Sequence, residues 1–202
     1  MIELTEKVRK RFEIQLKNLY VGQPGIKRDR PKLNQIHYSG DGHVEITNTM
    51  SAVRLSDVHE KQDSDDGYPN MDGIFKVPNN VDEFEFKMKE LKEFEDHLNV
   101  IYRNKVEAVK VKINSDGILI SEQHPGKESV FVESGIKIKW DMEEELEFAI
   151  HPRYLHDALN MFRLIGVKEL SIFYDTARRP IHLVSDNLHY LIMPLTFKNG
   201  GE

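Results

Sequence analysis

The side chains best suited to bond-making chemistry in this chain are its histidines and acidic clusters, and their spacing serves that chemistry poorly. His151 and His156 are five positions apart, so on a helix they fall on different faces and make a poor metal pair. His156 and Asp157 are neighbours in sequence, which does not by itself orient an imidazole for proton transfer. The run Asp63-Ser-Asp-Asp-Gly67 imitates a calcium loop, but its glycine falls one place early and no glutamate follows at the ligand position. The chain holds no Gly-x-Ser-x-Gly elbow, no phosphate loop and no dinucleotide fingerprint. A non-enzymatic protein with no metal and no cofactor is expected. A second kind of chemistry lies in the basic residues. Lys7, Arg9, Lys10, Arg11 and Lys17 are followed by Lys27, Arg28, Arg30 and Lys32, within a chain of net charge −6. Clustered Lys and Arg suit phosphate contact that is sensitive to salt and indifferent to base sequence. Glu3, Glu6, Glu13 and Asp29 dilute the cluster, so an ordinary solvated face is the competing explanation.

The bulk composition sets the frame for these residues. A chain of 202 residues can bury a real core, as one large domain or two small ones. Its 39% apolar and 31% charged content is that of a globular protein. With no cysteine there is neither a disulfide framework nor a thiolate zinc site. The N-terminal Met1-Ile-Glu-Leu-Thr-Glu-Lys-Val lacks the apolar core of a signal peptide, and no run reaches membrane-spanning length. A cytoplasmic protein with no membrane contact is the expectation.

The elements repeat. A short strand leads into a helix, and three β-rich runs follow, from Glu147, from Phe84 and, less clearly, from Ile2. In the third unit Leu155, Ala158, Leu159, Phe162 and Ile165 mark one helix face, with Pro152 suited to its first turn and Gly166 to its cap. Strands are predicted at Glu169–Tyr174, Pro180–Ser185 and His189–Leu195. The second unit opens at Phe84–Met88. A helix from about Glu90 to Asn104 then carries Leu91, Phe94, Leu98 and Ile101 on one face. Val109, Val111 and Ile113 alternate with Lys110 and Lys112, Asn114-Ser-Asp-Gly117 forms a hairpin turn before Ile118–Ser121, and a strand pair spans Ser129–Trp140. In the first unit Leu4, Val8, Phe12, Leu16 and Leu19 read as a helical stripe, although Arg11–Leu19 also alternates as a strand would. Strands Val44–Thr47 and Ala52–Val58 follow, and Glu60–Asn80 is a long connector.

Four stretches make the chain resemble the bacterial DNA sliding clamp family, the beta subunit of DNA polymerase III. Arg30-Pro-Lys-Leu-Asn-Gln-Ile-His-Tyr38 is similar to a stretch where the family has an Arg, an aromatic and Leu-Asn-Gly. Thr49-Met-Ser-Ala-Val-Arg-Leu55 sits where the family has Ala-Thr-Asp-Gly-His-Arg-Leu. Gly67-Tyr-Pro-Asn70, with Ile74 and Phe75, resembles the connector between the middle and last domains. Phe148 to Leu195 resembles the final helix and the closing Met-Pro strand. Met50-Ser51-Ala52 departs from the family's Thr-Asp-Gly, and the chain is shorter than a whole clamp.

The resemblance implies an α+β, DNA-clamp-like fold of three strand-helix-strands repeats, with antiparallel sheets and helices on one face. It divides the chain into a half clamp domain at 1–60, a connector at 61–83 and a complete clamp-like domain at 84–198. It implies a processivity factor in DNA replication that tethers replication or repair proteins to duplex DNA. The alternative is a clamp-like adaptor or inhibitor that binds the same peptides without encircling DNA. Carried over by position, an apolar peptide-binding cleft for DNA polymerase or other clamp-binding proteins would be lined by Leu33, Met50, Val53, Leu55, Pro69, Ile74, Leu191 and Met193. Leu33, Val53 and Leu55 fit core strand positions equally well. DNA contact would fall to Lys7, Arg9, Lys10, Arg11, Lys17, Lys27 and Arg28. Units two and three can pair with each other. Unit one then lacks a partner in the chain and is expected to pair with unit one of a second copy through Val8, Phe12 and Leu16, giving a dimer at least and a tetrameric ring in the bolder form.

Overall fold

A computed structural model describes residues 5–21, 31–58, 67–79, 81–104, 106–122, 134–137, 145–176 and 178–195. The expected strand at Ile2–Leu4, the basic loop at 22–30, the acidic run at 63–66 and most of the expected strand pair at 129–140 lie outside these residues.

Helix α1 (Glu6–Tyr20) forms because Phe12, Leu16 and Tyr20 recur every four residues and all three are buried. Thr5 caps it by accepting from the Val8 N–H. The strand reading of Arg11–Leu19 is thereby excluded. A 3-10 turn at Pro31–Asn34 leads to β1 (His37–Tyr38), β2 (Val44–Thr47) and β3 (Ser51–Leu55). The connector contains one short helical turn, α2 (Asp72–Phe75). Unit two is β4 (Asp82–Lys87), α3 (Lys92–Arg103), β5 (Val109–Asn114), β6 (Gly117–Glu122) and β7 (Ser134–Lys137). Unit three is β8 (Leu146–Ile150), α4 (Pro152–Ile165), β9 (Glu169–Tyr174), β10 (Ile181–Ser185) and β11 (Leu188–Ile192). Helix α4 starts at Pro152, with His151 Nδ1 accepting from the Arg153 N–H, and stops at Gly166, whose φ of 80° is the left-handed conformation that glycine adopts without strain.

The strands make a seven-stranded sheet, β1-β2-β3-β11-β10-β9-β4, and a four-stranded sheet, β7-β6-β5-β8, all antiparallel. Units two and three exchange their opening strands. β4 of unit two pairs with β9 of unit three, and β8 of unit three pairs with β5 of unit two. Neither unit can bury its own sheet edge alone, so this exchange joins them. Helix α4 packs against both α3 and α1.

Unit one does have a partner within the chain. β3 pairs with β11 from Ser51↔Ile192 to Leu55↔Leu188, and α1 docks on α4. Phe12 and Leu16 belong to the main core with Val53, Leu55, Phe162, Tyr190 and Ile192. The expectation that Phe12 and Leu16 cover a contact with a second copy is corrected: they are used up inside the chain. At the base of this junction the Tyr20 hydroxyl donates to the Tyr190 hydroxyl at 2.8 Å and lies 3.0 Å from Ser51 Oγ. Asn48 Oδ1 accepts from the Met50 and Ser51 N–H groups and holds the β2–β3 turn. Complete burial raises the phenol pKa of both tyrosines, so both stay neutral donors.

Tyr20→Phe should leave the Tyr190 and Ser51 hydroxyls short of a buried partner and cost about 1–3 kcal/mol. In urea denaturation the midpoint should fall with an unchanged slope. An unchanged midpoint would mean that α1 is not docked on unit three.

Candidate functional site

Strand alternation decides what each face of the large sheet can do. On β3, Ser51, Val53 and Leu55 point to the helices, and Ala52 and Arg54 point to the opposite face. On β11, Leu188, Tyr190 and Ile192 share the core face, and His189 and Leu191 take the other. The connector crosses this outer face. Met71 and Phe75 bury themselves against Ala52 and Leu191 in a small apolar cluster separate from the main core, with Tyr68 packed at its border.

Beside that crossing lies an apolar cleft of about 360 Å³. Its walls are Leu33, Thr47, Thr49, Ser51, Ala52, Pro69, Asn70, Met71, Ile74, Pro180, Leu191 and Met193. Ile74 is exposed at its wall and Met193 is half-buried. Among the described residues no charged side chain lines it, so it suits uncharged, apolar anchors. Five of the residues expected from sequence come together here: Leu33, Pro69, Ile74, Leu191 and Met193. Met50 stands exposed in the adjoining turn, with its carbonyl accepting from the Met193 N–H, and is not part of the lining. Val53 and Leu55 do not line the cleft; they are fully buried in the main core. Transfer by motif had mixed the two faces of one strand, because neighbours along a strand point in opposite directions. The walls that sequence reasoning missed are Thr47, Thr49, Ser51, Ala52, Asn70, Met71 and Pro180. The register could have found two of them, since Thr47 and Ala52 lie on the same row across the strands as Leu191.

Next to the cleft a polar row crosses the same face. Glu45, Arg54 and His189 occupy paired positions on β2, β3 and β11. Arg54 Nε donates to Glu45, and Arg54 Nη2 donates to Asp72 at 2.7 Å. The Arg54 guanidinium lies 4.4 Å from the Phe75 ring centroid, and Phe75 meets His189 edge to face at 5.1 Å. His182 Nδ1 and His189 Nε2 are 2.9 Å apart, a separation at which one ring donates and the other must accept, so the two rings cannot both be protonated. Burial lowers His182 to about 4. Burial first, then His182 and the Arg54 charge, lowers His189 to about 3. Among the described residues no group of three or more His, Cys, Asp or Glu side chains could hold a metal ion.

On the helix side, α1 presents Lys7, Lys10, Arg11 and Lys17 outward, opposite Phe12 and Leu16. Lys10 is paired with Glu6 at 2.7 Å, while Lys7, Arg11 and Lys17 make no ion pair with described residues. Arg9 faces the fold instead: it donates to the Val58 carbonyl at 3.0 Å and contacts Glu13. Its side chain remains 36% exposed. Lys27 and Arg28 lie outside the described residues. The exposed face of α3 is mixed, with Lys92 and Arg103 beside Glu93 and Asp96. Arg163 on α4 is paired with Glu95.

No protein-family model and no curated protein matches this sequence. Solved structures do. The beta chain of DNA polymerase III from Streptococcus pneumoniae superimposes with a TM-score of 0.69 at 16% identity, over 98% of this chain and 64% of that one. The Helicobacter pylori beta clamp bound to a DNA ligase peptide gives 0.67 at 12% identity, over 97% and 65%. The Bacillus subtilis sliding clamp gives 0.67 at 15%, over 96% and 63%. The fold is that of a bacterial DNA sliding clamp. The chain spans only about two thirds of the length of these clamps. Among the described residues no helix is long and apolar enough to cross a membrane.

In this clamp fold the His182–His189 pair makes the outer face acid-sensitive. The folded values lie below the ordinary histidine value of 6.5. The unfolded chain therefore binds more protons than the folded one as pH falls below about 6.5, so the pair's contribution to stability is full above that value and is lost as pH falls toward the folded values of about 4 and about 3. Urea midpoints measured from pH 8 to pH 4 should show this decline, and the double variant His182→Gln/His189→Gln should show a shallower one. Equal slopes would mean that the pair is solvated.

Proposed function

We propose that this protein is a non-enzymatic tether that holds a replication or repair protein beside duplex DNA. A short peptide tail of a DNA polymerase or another clamp-binding protein docks in the cleft beside the connector. The basic face of α1 rests on phosphates. The observation that carries this reading is the cleft itself: uncharged, apolar, and set where the connector crosses the ends of β3 and β11 of a clamp fold. One of the structurally similar clamps, that of H. pylori, is bound to a DNA ligase peptide.

In this reading Leu33, Pro69, Ile74, Leu191 and Met193 make the anchoring surface. Met50 extends its rim, and Val53 and Leu55 support its floor from the core side. Leucine and methionine side chains re-pack around varied anchors, which suits one cleft that serves several partners. Lys7, Lys10, Arg11 and Lys17 are the DNA contacts, with the partly exposed Arg9 beside them, joined on sequence grounds by Lys27 and Arg28. Residues 84–198 act as a complete clamp domain, 1–60 as a half domain and 61–83 as the connector. Assembly with further copies uses the sheet edges at β1 and β7. Neither edge has a neighbouring strand among the described residues. The second reading, an adaptor that never encircles DNA, is favoured by the mixed charge of α3.

Met193→Asp should abolish binding of a labelled peptide with leucine and phenylalanine anchors, because a buried unpaired carboxylate costs several kcal/mol. Equal fluorescence anisotropy titrations for this variant and the wild type would refute the cleft assignment.

Changing Lys7, Lys10, Arg11 and Lys17 to glutamate should weaken duplex binding for every sequence. The salt dependence should flatten by a slope of about 0.9 per lost phosphate contact. Absence of duplex binding by the wild type at low salt would leave the adaptor reading ahead. Light scattering should show a dimer or larger, and a folded monomer at micromolar concentration would overturn the assembly.

A further inference from the structure

Resting on the cleft reading above, we infer that Arg54, which does not line the cleft, is the positioning residue that sets the cleft's geometry by pinning the connector wall. The connector supplies Pro69, Asn70, Met71 and Ile74 to the lining. Its start is held by Lys32 Nζ, which donates to the Gly67 carbonyl at 2.9 Å, and by the stacking of Tyr68 on His37 at 4.3 Å. Its far end is the one-turn helix α2. Four residues make too little helix to hold itself in place, and Met71 provides no side-chain cap for it.

Met71 and Phe75 are buried on the sheet and Asn70 Oδ1 accepts from the Asp72 N–H at 2.8 Å; the polar tie of α2 to the sheet is Arg54. Its side chain is only 13% exposed, and it touches three groups at once. Glu45, itself buried on the neighbouring strand, fixes the guanidinium on the sheet. Nη2, which also meets Glu45, takes Asp72 in the first turn of α2, and the planar face covers Phe75 in its last position. Arginine is suited to this because one rigid fork can meet two carboxylates while its face stacks on an aromatic ring. Phe75 is buried against Ala52 and Leu191, and Ile74, its neighbour, lines the cleft. Release of Asp72 and Phe75 would let the wall that carries Met71 and Ile74 leave the sheet. Arg54 thus acts on an occupant of the cleft through Asp72 and Phe75.

Asp72 is 60% exposed and outside the cleft, so Asp72→Ala should fold normally, whereas Arg54→Ala strands the buried Glu45. The experiment measures two things in wild type, Asp72→Ala, Arg54→Lys, Arg54→Ala and the double Arg54→Ala/Asp72→Ala variant. One is amide exchange of Ile74 and Phe75, whose N–H groups bond to the Met71 carbonyl. The other is affinity for a labelled peptide with leucine and phenylalanine anchors. Asp72→Ala should speed exchange at both amides and weaken the peptide about tenfold, with thermal midpoint unchanged. Arg54→Lys should recover part of the loss, and the double variant should bind no worse than Arg54→Ala, since both residues act through one contact. Unchanged exchange in Asp72→Ala would overturn the inference whatever the peptide does. Faster exchange with unchanged peptide affinity would overturn Arg54's role in the cleft and leave the proposed function standing. If the wild type binds no such peptide, the cleft reading fails and the inference fails with it.

Discussion

The antiparallel pairing of β3 with β11 is the constraint on which the rest of this structure depends. It runs over five residue pairs and joins the first repeat to the third. Once the two strands are in register, alternation sends Val53, Leu55, Tyr190 and Ile192 into the core under α1 and α4. The same alternation sends Ala52, Arg54, His189 and Leu191 to the other face, where the connector lies. A slip of β3 by one residue would put Arg54 into the apolar core and Val53 and Leu55 against the connector. The Tyr20–Tyr190–Ser51 hydroxyl contacts make such a slip still more costly, because they can be satisfied only in one alignment.

Both surfaces with a functional reading inherit their form from this pairing. The cleft lies beside the ends of β3 and β11 because both strands stop there: β3 begins at Ser51, β11 ends at Ile192, and Met193 continues only by bonding back to Met50. The basic face of α1 is presented outward because Phe12, Leu16 and Tyr20 anchor the opposite face on the same core. A chain of net charge −6 thus carries a locally basic strip on α1, diluted by Glu6 and Glu13.

The helices of units two and three were legible in sequence because their apolar stripes are regular and their ends are marked, as at Pro152 and Gly166. Helix α1 was ambiguous over Arg11–Leu19, where alternation competes with the four-residue spacing. The decisive member, Tyr20, lies one place beyond the stripe and carries a hydroxyl that hides its core role. The cleft was half legible. Leu33, Pro69, Ile74, Leu191 and Met193 followed from resemblance, but Val53 and Leu55 were assigned to the wrong face of β3. Met71, Asn70 and Pro180 depend on how the connector and the β9–β10 loop meet the sheet, and local pattern carries no record of such long-range contacts. The in-chain partner of unit one was hidden for the same reason. Nothing in Ser51–Leu55 names a strand so distant in sequence as its neighbour.

Hydrogen exchange followed by mass spectrometry on the whole chain tests this seam most directly. The segments Ser51–Leu55 and Leu188–Ile192 should exchange together and as slowly as β9 and β10, opening only with the main core. Fast, independent exchange of Ser51–Leu55, with Leu188–Ile192 still protected, would contradict the account, because unit one would then be hinged beside the fold and not built into it.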